Sequence, residues 1–345
     1  METKEPPISN TNLIIKDTNK TIEQFSKENV QEIATSLIKL KNNETDTETL
    51  SHKLNIEIDT DSIVIKIKEE IPIIKSSSQE SPTNELVQPA HPFFSNFEHG
   101  STVPAKKGII TFEKNEKILL FSPHPDDEIL GACALLHKCF TENVKINIVY
   151  MTSGKTAGDV ITRQNEAKEG IKILNGKTEN LNFANMPFYE RSNRSIQEDD
   201  YIYVKEIINK KQPNIVFVCA DVFDPNKTHY KCFEILTKVL FEEEFKHIEV
   251  YFYYSVWYTP NDDEYTHILP YSYDTCKLKV IAMLEHKSQM NTKFMGNNSL
   301  PFYVRGVMRD EKFGSLNNYE YCEVFYKIPK EFKSSNNLDN LKFLI

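Results

Sequence analysis

The chain has 345 residues, of which 39% are hydrophobic, and its 41 basic and 50 acidic residues give a formal net charge of -9. This length allows one good-sized core with roughly a hundred residues left over, and the acidic balance without a Lys/Arg block argues against a nucleic-acid partner. The six cysteines are scattered without a CxxC pair, so we expect reduced core thiols rather than a disulfide scaffold.

Residues 1–107 are predicted to be a polar, largely flexible N-terminal region and linker. They are rich in Asn, Thr, Ser, Lys and Glu, and their short apolar runs can bury little. Apolar spacing allows a helix between residues 22 and 40 and a strand or edge hairpin between residues 54 and 67. The start of the chain does not resemble a secretory signal, and no run reaches the roughly 18 apolar residues of a membrane-spanning helix. We therefore expect a cytoplasmic protein without an integral membrane segment.

From about residue 108 onward, strands and helices alternate regularly. The predicted strands are 117–122, 145–151, 214–220, 248–256 and about 320–327, and the predicted helices are 128–142, 161–174, 198–211, 228–243 and about 273–289. This alternation implies parallel crossover units, and the nearly unbroken apolar runs at 147–151 and 215–219 indicate interior strands covered on both faces. The predicted fold is a three-layer α/β/α Rossmann-like domain with a mostly parallel sheet over residues 108–335, followed by a tail at 336–345.

The segment Pro123-His124-Pro125-Asp126-Asp127-Glu128 places the imidazole of His124 beside the carboxylates of Asp126 and Asp127 where the first of these strands turns into a helix. Ligands of open α/β sheets bind at the carboxyl ends of the strands. His124 and Asp127 can converge on one cation across this turn, which leaves Asp126 to act as general base on a metal-activated water. The alternative is an ordinary acidic first turn of a helix, which explains neither His124 nor the position after a buried strand.

A second motif, residues 220–229, likewise follows an apolar strand and precedes a helix. If the two parallel strands end side by side, His229 completes a metal-binding set with His124 and Asp127. The alternative for His229 is a helix cap or a surface residue. Asp224 is a candidate for orienting His229, because carboxylates commonly hold metal-binding histidines. Three ligands of this kind with one open position are typical of catalytic zinc, and iron or manganese would fit N and O ligands nearly as well.

These residues resemble the LmbE/PIG-L family of zinc-dependent de-N-acetylases, which remove acetyl groups from N-acetylglucosamine-type substrates. The likeness covers roughly residues 110–330 and rests on the PHPDDE string and on the second loop that ends in His229. Further similarity lies in Arg163 and Glu166 of the TRQNEA segment and in the HKSQ segment at His286. Residues 224–229 are most like a DPxGTH segment in the deacetylase-like half of glucosamine-6-phosphate deaminase fusions.

The resemblance implies a hydrolase that removes an acetyl group from a small amino sugar of the N-acetylglucosamine type. The site residues that it implies are the zinc ligands His124, Asp127 and His229, the base Asp126, and the substrate-binding Arg163 and His286. An exposed helix arginine remains the alternative at position 163, and a capping or core histidine at position 286. The sequence leaves open which sugar is used, whether it is phosphorylated or lipid-linked, and the oligomeric state.

The chain departs from the family at Asn226. The second family motif usually reads His-x-x-His, and its first His acts as general acid or stabilises the tetrahedral intermediate. Asparagine can offer an N–H to an oxyanion but cannot donate a full proton, and loss of a general acid costs around 10²- to 10⁴-fold in rate. One alternative is therefore a catalytically weakened sugar-binding or regulatory relative. Another gives the main function to residues 1–107, as a scaffold.

Overall fold

The computed structural model describes residues 14–16, 64–66, 106–155, 159–187, 194–224, 227–290 and 302–330. The chain divides into two units, residues 1–85 and 86–345. In the first unit, β1 (Ile14–Lys16) pairs in parallel with β2 (Val64–Lys66). β2 falls within the stretch predicted as strand or hairpin, whereas the helix expected between residues 22 and 40 lies outside the described residues. The domain boundaries expected from the sequence stay predictions.

The described part of the second unit contains an eight-stranded sheet with helices between its strands. The elements in chain order are β3 (Gly108–Ile109), β4 (Lys117–Ser122), α1 (Asp127–Thr141), β5 (Lys145–Tyr150), α2 (Val160–Ile173), β6 (Leu181–Phe183), α3 (Glu198–Lys211), β7 (Ile215–Cys219), α4 (Thr228–Leu240), β8 (Glu249–Tyr253), β9 (His267–Tyr271), α5 (Tyr273–Leu284), α6 (Lys287–Met290), α7 (Phe302–Leu316) and β10 (Tyr321–Lys327).

The strand order in this sheet is β3-β9-β10-β8-β7-β4-β5-β6. The strands from β8 to β6 are parallel to one another. β10 runs antiparallel to both of its neighbours, and β3 is parallel to β9. The sheet is therefore mostly parallel, as the alternation of strands and helices predicted.

Helices cover both faces of the sheet. Since alternate side chains of a strand point to opposite sides, each strand contributes to the packing on both faces. Leu119 and Phe121 of β4 pack in a cluster with residues of α3 and α4. Ile118 and Leu120, their neighbours along the strand, pack in a second cluster with residues of α1, α2 and α5. These two cores on either side of one sheet confirm the predicted three-layer α/β/α class.

Some predicted bounds need correction. The single helix expected at about 273–289 is two helices, α5 and α6, and the strand expected at 248–256 ends at Tyr253. β6, β9 and α7 were not expected. α7 contains Gly306 and Gly314, which lower helix propensity, and β9 contains Pro270, which is unusual inside a strand. No helix in the described part of the chain is long and apolar enough to cross a membrane.

Candidate metal centre

The two sequence motifs lie side by side at one edge of the sheet. β4 and β7 are parallel neighbours, with Phe121 opposite Val218, so the loops that follow them leave the sheet together. His124 lies in the loop after β4, Asp127 begins α1, and His229 lies in the first turn of α4. In the sheet, β5 and β6 lie on one side of β4, whereas β7 and β8 lie on its other side. The motifs thus meet at the topological switch point, where open α/β sheets bind ligands.

Three side-chain atoms form a nearly equilateral triangle. His124 Nδ1 lies 3.1 Å from His229 Nε2 and 3.3 Å from Asp127 Oδ2, and the latter two atoms are 3.2 Å apart. All three residues are buried. Tetrahedral ligands that lie about 2.0–2.1 Å from a zinc ion are separated from one another by about 3.3 Å. The spacing and the donor types therefore fit a divalent cation.

The charges around the triangle also favour a cation. Burial acts to raise the pKa of Asp127, but the charge of His229 and hydrogen bonds from both imidazoles hold it well below its usual value. Burial acts to lower the pKa of His229, yet the carboxylates of Asp127 and Asp224 raise it well above the usual value. Both pKa shifts, that of Asp127 and that of His229, show that positive charge is favoured among the three ligand atoms.

Asp126 is not part of the triangle and pairs with Arg163 instead. Its Oδ2 accepts a hydrogen bond from Arg163 Nη2 at 2.9 Å, and its main-chain N donates to Glu128 Oε2 at 3.1 Å. Its φ of 153° is seldom adopted by residues other than glycine and indicates local strain. Burial raises the pKa of Asp126 to about 6 although the charge of Arg163 opposes this. A carboxyl group with such a pKa can take up and release a proton near neutral pH.

Arg163 on α2 is 2% exposed, so the alternative of an exposed helix arginine does not hold. Its Nη1 donates to the Gly154 carbonyl at 3.0 Å, and its Nη2 donates to the Pro125 carbonyl at 2.8 Å as well as to Asp126. Gly154 has a φ of 57°, and a Cβ there would lie 2.1 Å from Arg163 Nη1. Arg163 thus fixes the loops after β4 and β5 and orients Asp126.

The HKSQ segment is tied to α2 by a carboxylate. Glu166, one turn beyond Arg163, accepts hydrogen bonds from Ser288 N at 2.7 Å and Ser288 Oγ at 2.6 Å. His286 is fully buried beside this contact. Burial and the charge of Arg163 lower the pKa of His286 to about 3, so its ring is neutral near pH 7. A Cβ at Gly170 would lie 3.2 Å from its Nε2, which shows how closely α2 packs on this ring.

Asp224 holds the first turn of α4 through the main chain. Its carboxylate accepts hydrogen bonds from the N–H groups of Thr228 at 3.1 Å and His229 at 3.0 Å. The other ring nitrogen of His229, Nδ1, lies 4.0 Å from the thiol of Cys219, the last residue of β7. Nε2 therefore remains on the side of the triangle. Asn226 lies outside the described residues, so its departure from the family motif is known from the sequence only.

Two buried carboxylates were not among the expected site residues. Glu128 accepts hydrogen bonds from Tyr150 Oη at 2.7 Å and Ser122 Oγ at 3.2 Å, and burial raises its pKa to about 8. Asp221 accepts one from Trp257 N at 2.6 Å, and burial raises its pKa to about 6. Both lie within the two sequence motifs, Glu128 in the PHPDDE string and Asp221 in residues 220–229, but neither of them was assigned a role from the sequence.

Comparison with known proteins gives partial matches. Residues 119–240 match the family model PIG-L, described as GlcNAc-PI de-N-acetylase. A glucosamine-6-phosphate deaminase-like protein of Bacteroides thetaiotaomicron is 22% identical over 280 residues, covering 61% of this chain and 42% of that protein. The uncharacterized deacetylase YaiS of Escherichia coli K12 is 35% identical over 101 residues, covering 29% of this chain and 51% of that protein. The chain thus spans about half or less of the length of these relatives.

Among solved structures, N,N'-diacetylchitobiose deacetylase from Pyrococcus horikoshii aligns with a TM-score of 0.50 at 18% identity. The alignment covers 66% of this chain and 88% of that one. The two proteins therefore share a fold.

Proposed function

We propose, from the match of residues 119–240 to the PIG-L family model, that the chain is a metal-dependent hydrolase that removes the acetyl group from an N-acetylglucosamine-type sugar. The resemblance to the LmbE/PIG-L family that the two motifs carried is thereby confirmed. The triangle of His124 Nδ1, Asp127 Oδ2 and His229 Nε2 carries the proposal, because it offers three ligands at the spacing of a tetrahedral cation. The deacetylase names of two similar proteins support the same reaction.

His124, Asp127 and His229 are the residues that would hold the metal. Two imidazole nitrogens and one carboxylate oxygen with a further open position are typical of catalytic zinc, and they suit iron or manganese nearly as well. A divalent ion at this position supplies Lewis acidity, which lowers the pKa of a water molecule and polarises an amide carbonyl.

Asp126 is the general base in this proposal. Its carboxylate takes the proton of the attacking water as the water oxygen bonds to the acetamide carbon, and returns it to the sugar nitrogen as the C–N bond breaks, giving acetate and a free amine. The pKa of about 6 suits both steps. Arg163 occupies Oδ2 of this carboxylate and so orients Oδ1 as the oxygen that exchanges the proton.

The substrate contacts assigned to Arg163 and His286 stay predictions. The hydrogen bonds of Arg163 favour a role in orienting Asp126. The neutral, buried ring of His286 would offer an N–H to an acetamide oxygen only if the pocket reaches it.

The test is acetate release from N-acetylglucosamine, its 6-phosphate and N,N'-diacetylchitobiose by the zinc-replete full chain. We expect release from at least one sugar, and a decrease in kcat of about 10²- to 10⁴-fold in Asp126→Asn with unchanged zinc content. Asp199→Asn, which changes an exposed carboxylate of α3, is the matched control and should leave the rate unchanged. Release that persists at full rate after chelation of the metal would contradict the proposal.

The substitution at Asn226 favours a second candidate, a sugar-binding relative that has lost turnover. It predicts stoichiometric binding of zinc and sugar with acetate release at background. Asn226→His separates the two candidates, because restoring the usual acid should create activity in a lapsed enzyme and change a working one far less. Activity absent from the parent chain and present in Asn226→His would favour the second candidate.

A further inference from the structure

We propose that Arg309 of α7 is a positioning residue for the metal centre. It holds the first turn of α1, which carries Asp127, as a unit that is separate from the rest of that helix. This inference rests on the metal-binding role proposed for Asp127. Arg309 is buried and lies on an element that the sequence did not predict.

Helix α1 is broken at Ala132, whose φ of -143° and ψ of 28° are not helical. In a regular α-helix the N–H of Ala134 would bond to the carbonyl of Leu130. Here the N–H of Ala134 donates to the carboxylate of Glu323 on β10 at 2.9 Å. The carbonyl of Leu130 accepts from Arg309 Nη2 at 3.0 Å. A carboxylate and a guanidinium thus serve as partners for the two main-chain groups on either side of the break.

The signs of these two charges match the two helix ends that the break creates. A negative group favours the N-terminal end of a helix and a positive group its C-terminal end. Glu323 binds the start of the segment after the break, where it also accepts from the N–H of Leu135 at 3.0 Å. Arg309 binds the end of the segment before the break. Residues 127–131 therefore form a short unit, and the charge that fixes its end is Arg309.

Arg309 also joins this unit to the loop after β8, which leaves the sheet at the same edge as the metal ligands. Its Nη1 donates to the carbonyl of Tyr254 at 2.6 Å and to the carbonyl of Ser255. Gly131 packs against the same loop, since a Cβ there would lie 2.5 Å from the Tyr254 carbonyl oxygen. The guanidinium of Arg309 therefore fixes the position of the turn that carries Asp127 relative to the end of β8.

Asp310 holds the guanidinium in place. Its Oδ1 accepts from Arg309 Nε at 3.0 Å and from Nη2 at 2.8 Å, and its Oδ2 accepts from Lys279 Nζ at 2.5 Å and from Tyr271 Oη at 2.7 Å. Buried ion pairs are often no more stabilising than apolar residues of the same volume. Stability alone is therefore a weak reason for this network, whereas the placing of three carbonyls needs the fork of an arginine.

Arg309→Lys tests the inference, because lysine keeps the charge but cannot bond three carbonyls and Asp310 at once. Tyr271→Phe is the matched control, since it removes one hydrogen bond of the same buried network, the one from the Tyr271 hydroxyl to Asp310, and leaves the hydrogen bonds of Arg309 to α1 and to the loop after β8 in place. The measurements on the full chain are zinc affinity by competition with a chelator, amide hydrogen exchange, and thermal unfolding in chelator.

We expect Arg309→Lys to weaken zinc binding about 10- to 100-fold, as loss of supporting contacts to metal ligands does, and to speed amide exchange in residues 128–131. Tyr271→Phe should lower the melting temperature and leave zinc affinity unchanged. If Arg309→Lys does not fold, Arg309→Met, which keeps an unbranched side chain but has no donor for any of the three carbonyls, takes its place with the same expected result.

If the parent chain and the position 309 variant bind zinc with equal affinity, the role of Arg309 is overturned and the proposed function still stands. Equal losses of affinity in Tyr271→Phe would also overturn it, because the effect would then follow general stability. A parent chain that binds no zinc would overturn the proposed metal set, and this inference with it.

Discussion

Three consecutive carboxylates, Asp126, Asp127 and Glu128, are all buried and yet differ in protonation. Asp127 lies against two imidazoles, which hold its pKa well below the usual range, while the pKa of Asp126 rises to about 6 and that of Glu128 to about 8. Their neighbours explain the difference, because only Asp127 has hydrogen bonds and charges strong enough to outweigh burial. One group is thus suited to a cation, one to proton transfer, and one to hydrogen bonding as a neutral acid near pH 7.

His286 should make stability depend on pH. Its pKa of about 3 in the folded state is below the value of 6.5 expected when unfolded, so the folded state binds fewer protons and stability falls as the pH falls below 6.5. Two pH units below that point cost about 2.5 kcal/mol at 1.36 kcal/mol per unit. Denaturant unfolding at pH 7.5 and 4.5, in chelator, should show this loss in the parent chain. His286→Gln should lose less over the same range, and identical losses would contradict the assignment.

At the scale of elements, helix α2 joins the parts of the site without offering a metal ligand. Arg163 reaches the loop after β4, and Glu166 reaches Ser288 of α6, so one face of one helix aligns both segments. Helix α1 carries Asp127 on a short unit that ends at the break at Ala132. The site is therefore built from helix starts that other helices hold in place.

The close contact between α1 and β8 gives a prediction for two helical glycines. In Gly131→Ala the new Cβ would meet the Tyr254 carbonyl at 2.5 Å, whereas in Gly306→Ala the nearest atoms would lie at 3.6 Å. Gly131→Ala should lower the free energy of unfolding by about 1–3 kcal/mol through overpacking and weaken zinc binding. Gly306→Ala should be neutral or raise stability by up to about 1 kcal/mol through helix propensity. Denaturant titrations measure both, and equal effects would contradict this packing.

At the scale of the whole molecule, the site exists only when two distant parts of the chain are folded together. The β4 loop and the start of α4 meet because β4 and β7 are neighbours at the switch point of the sheet. The contact between His124 and His229 spans 105 residues. A metal that needs both histidines can bind strongly only to the folded chain, and its binding must therefore stabilise the fold.

Zinc should accordingly raise the melting temperature of the full chain. At a free zinc concentration 100 times the dissociation constant, the stabilisation is about 2.7 kcal/mol, which corresponds to roughly 5–10 °C for a domain of this size. His229→Ala should remove most of the shift, whereas His247→Ala, which changes an exposed histidine, should keep it. Scanning calorimetry with zinc and with chelator measures the shift. The same shift in His229→Ala would contradict the ligand set.

Local pattern was enough to predict the strands and helices with clear periodicity. The apolar runs of β4 and β7 each lie within a few consecutive residues, and strands alternate regularly with helices. The mostly parallel three-layer fold could be predicted from these two patterns. The same patterns failed for β6, which is short and partly exposed at the sheet edge, and for α7, where glycines interrupt the helix signal.

The sequence by itself determined which groups are candidates for the chemistry, because an imidazole and carboxylates directly after a buried strand are a local feature. Only the tertiary structure decided their partners. Arg163 contacts Asp126 across 37 residues, Glu166 contacts Ser288 across 122, and Arg309 contacts Leu130 across 179. No local periodicity encodes such pairs, since they depend on which elements pack side by side and on which buried polar groups must find a partner once water is excluded.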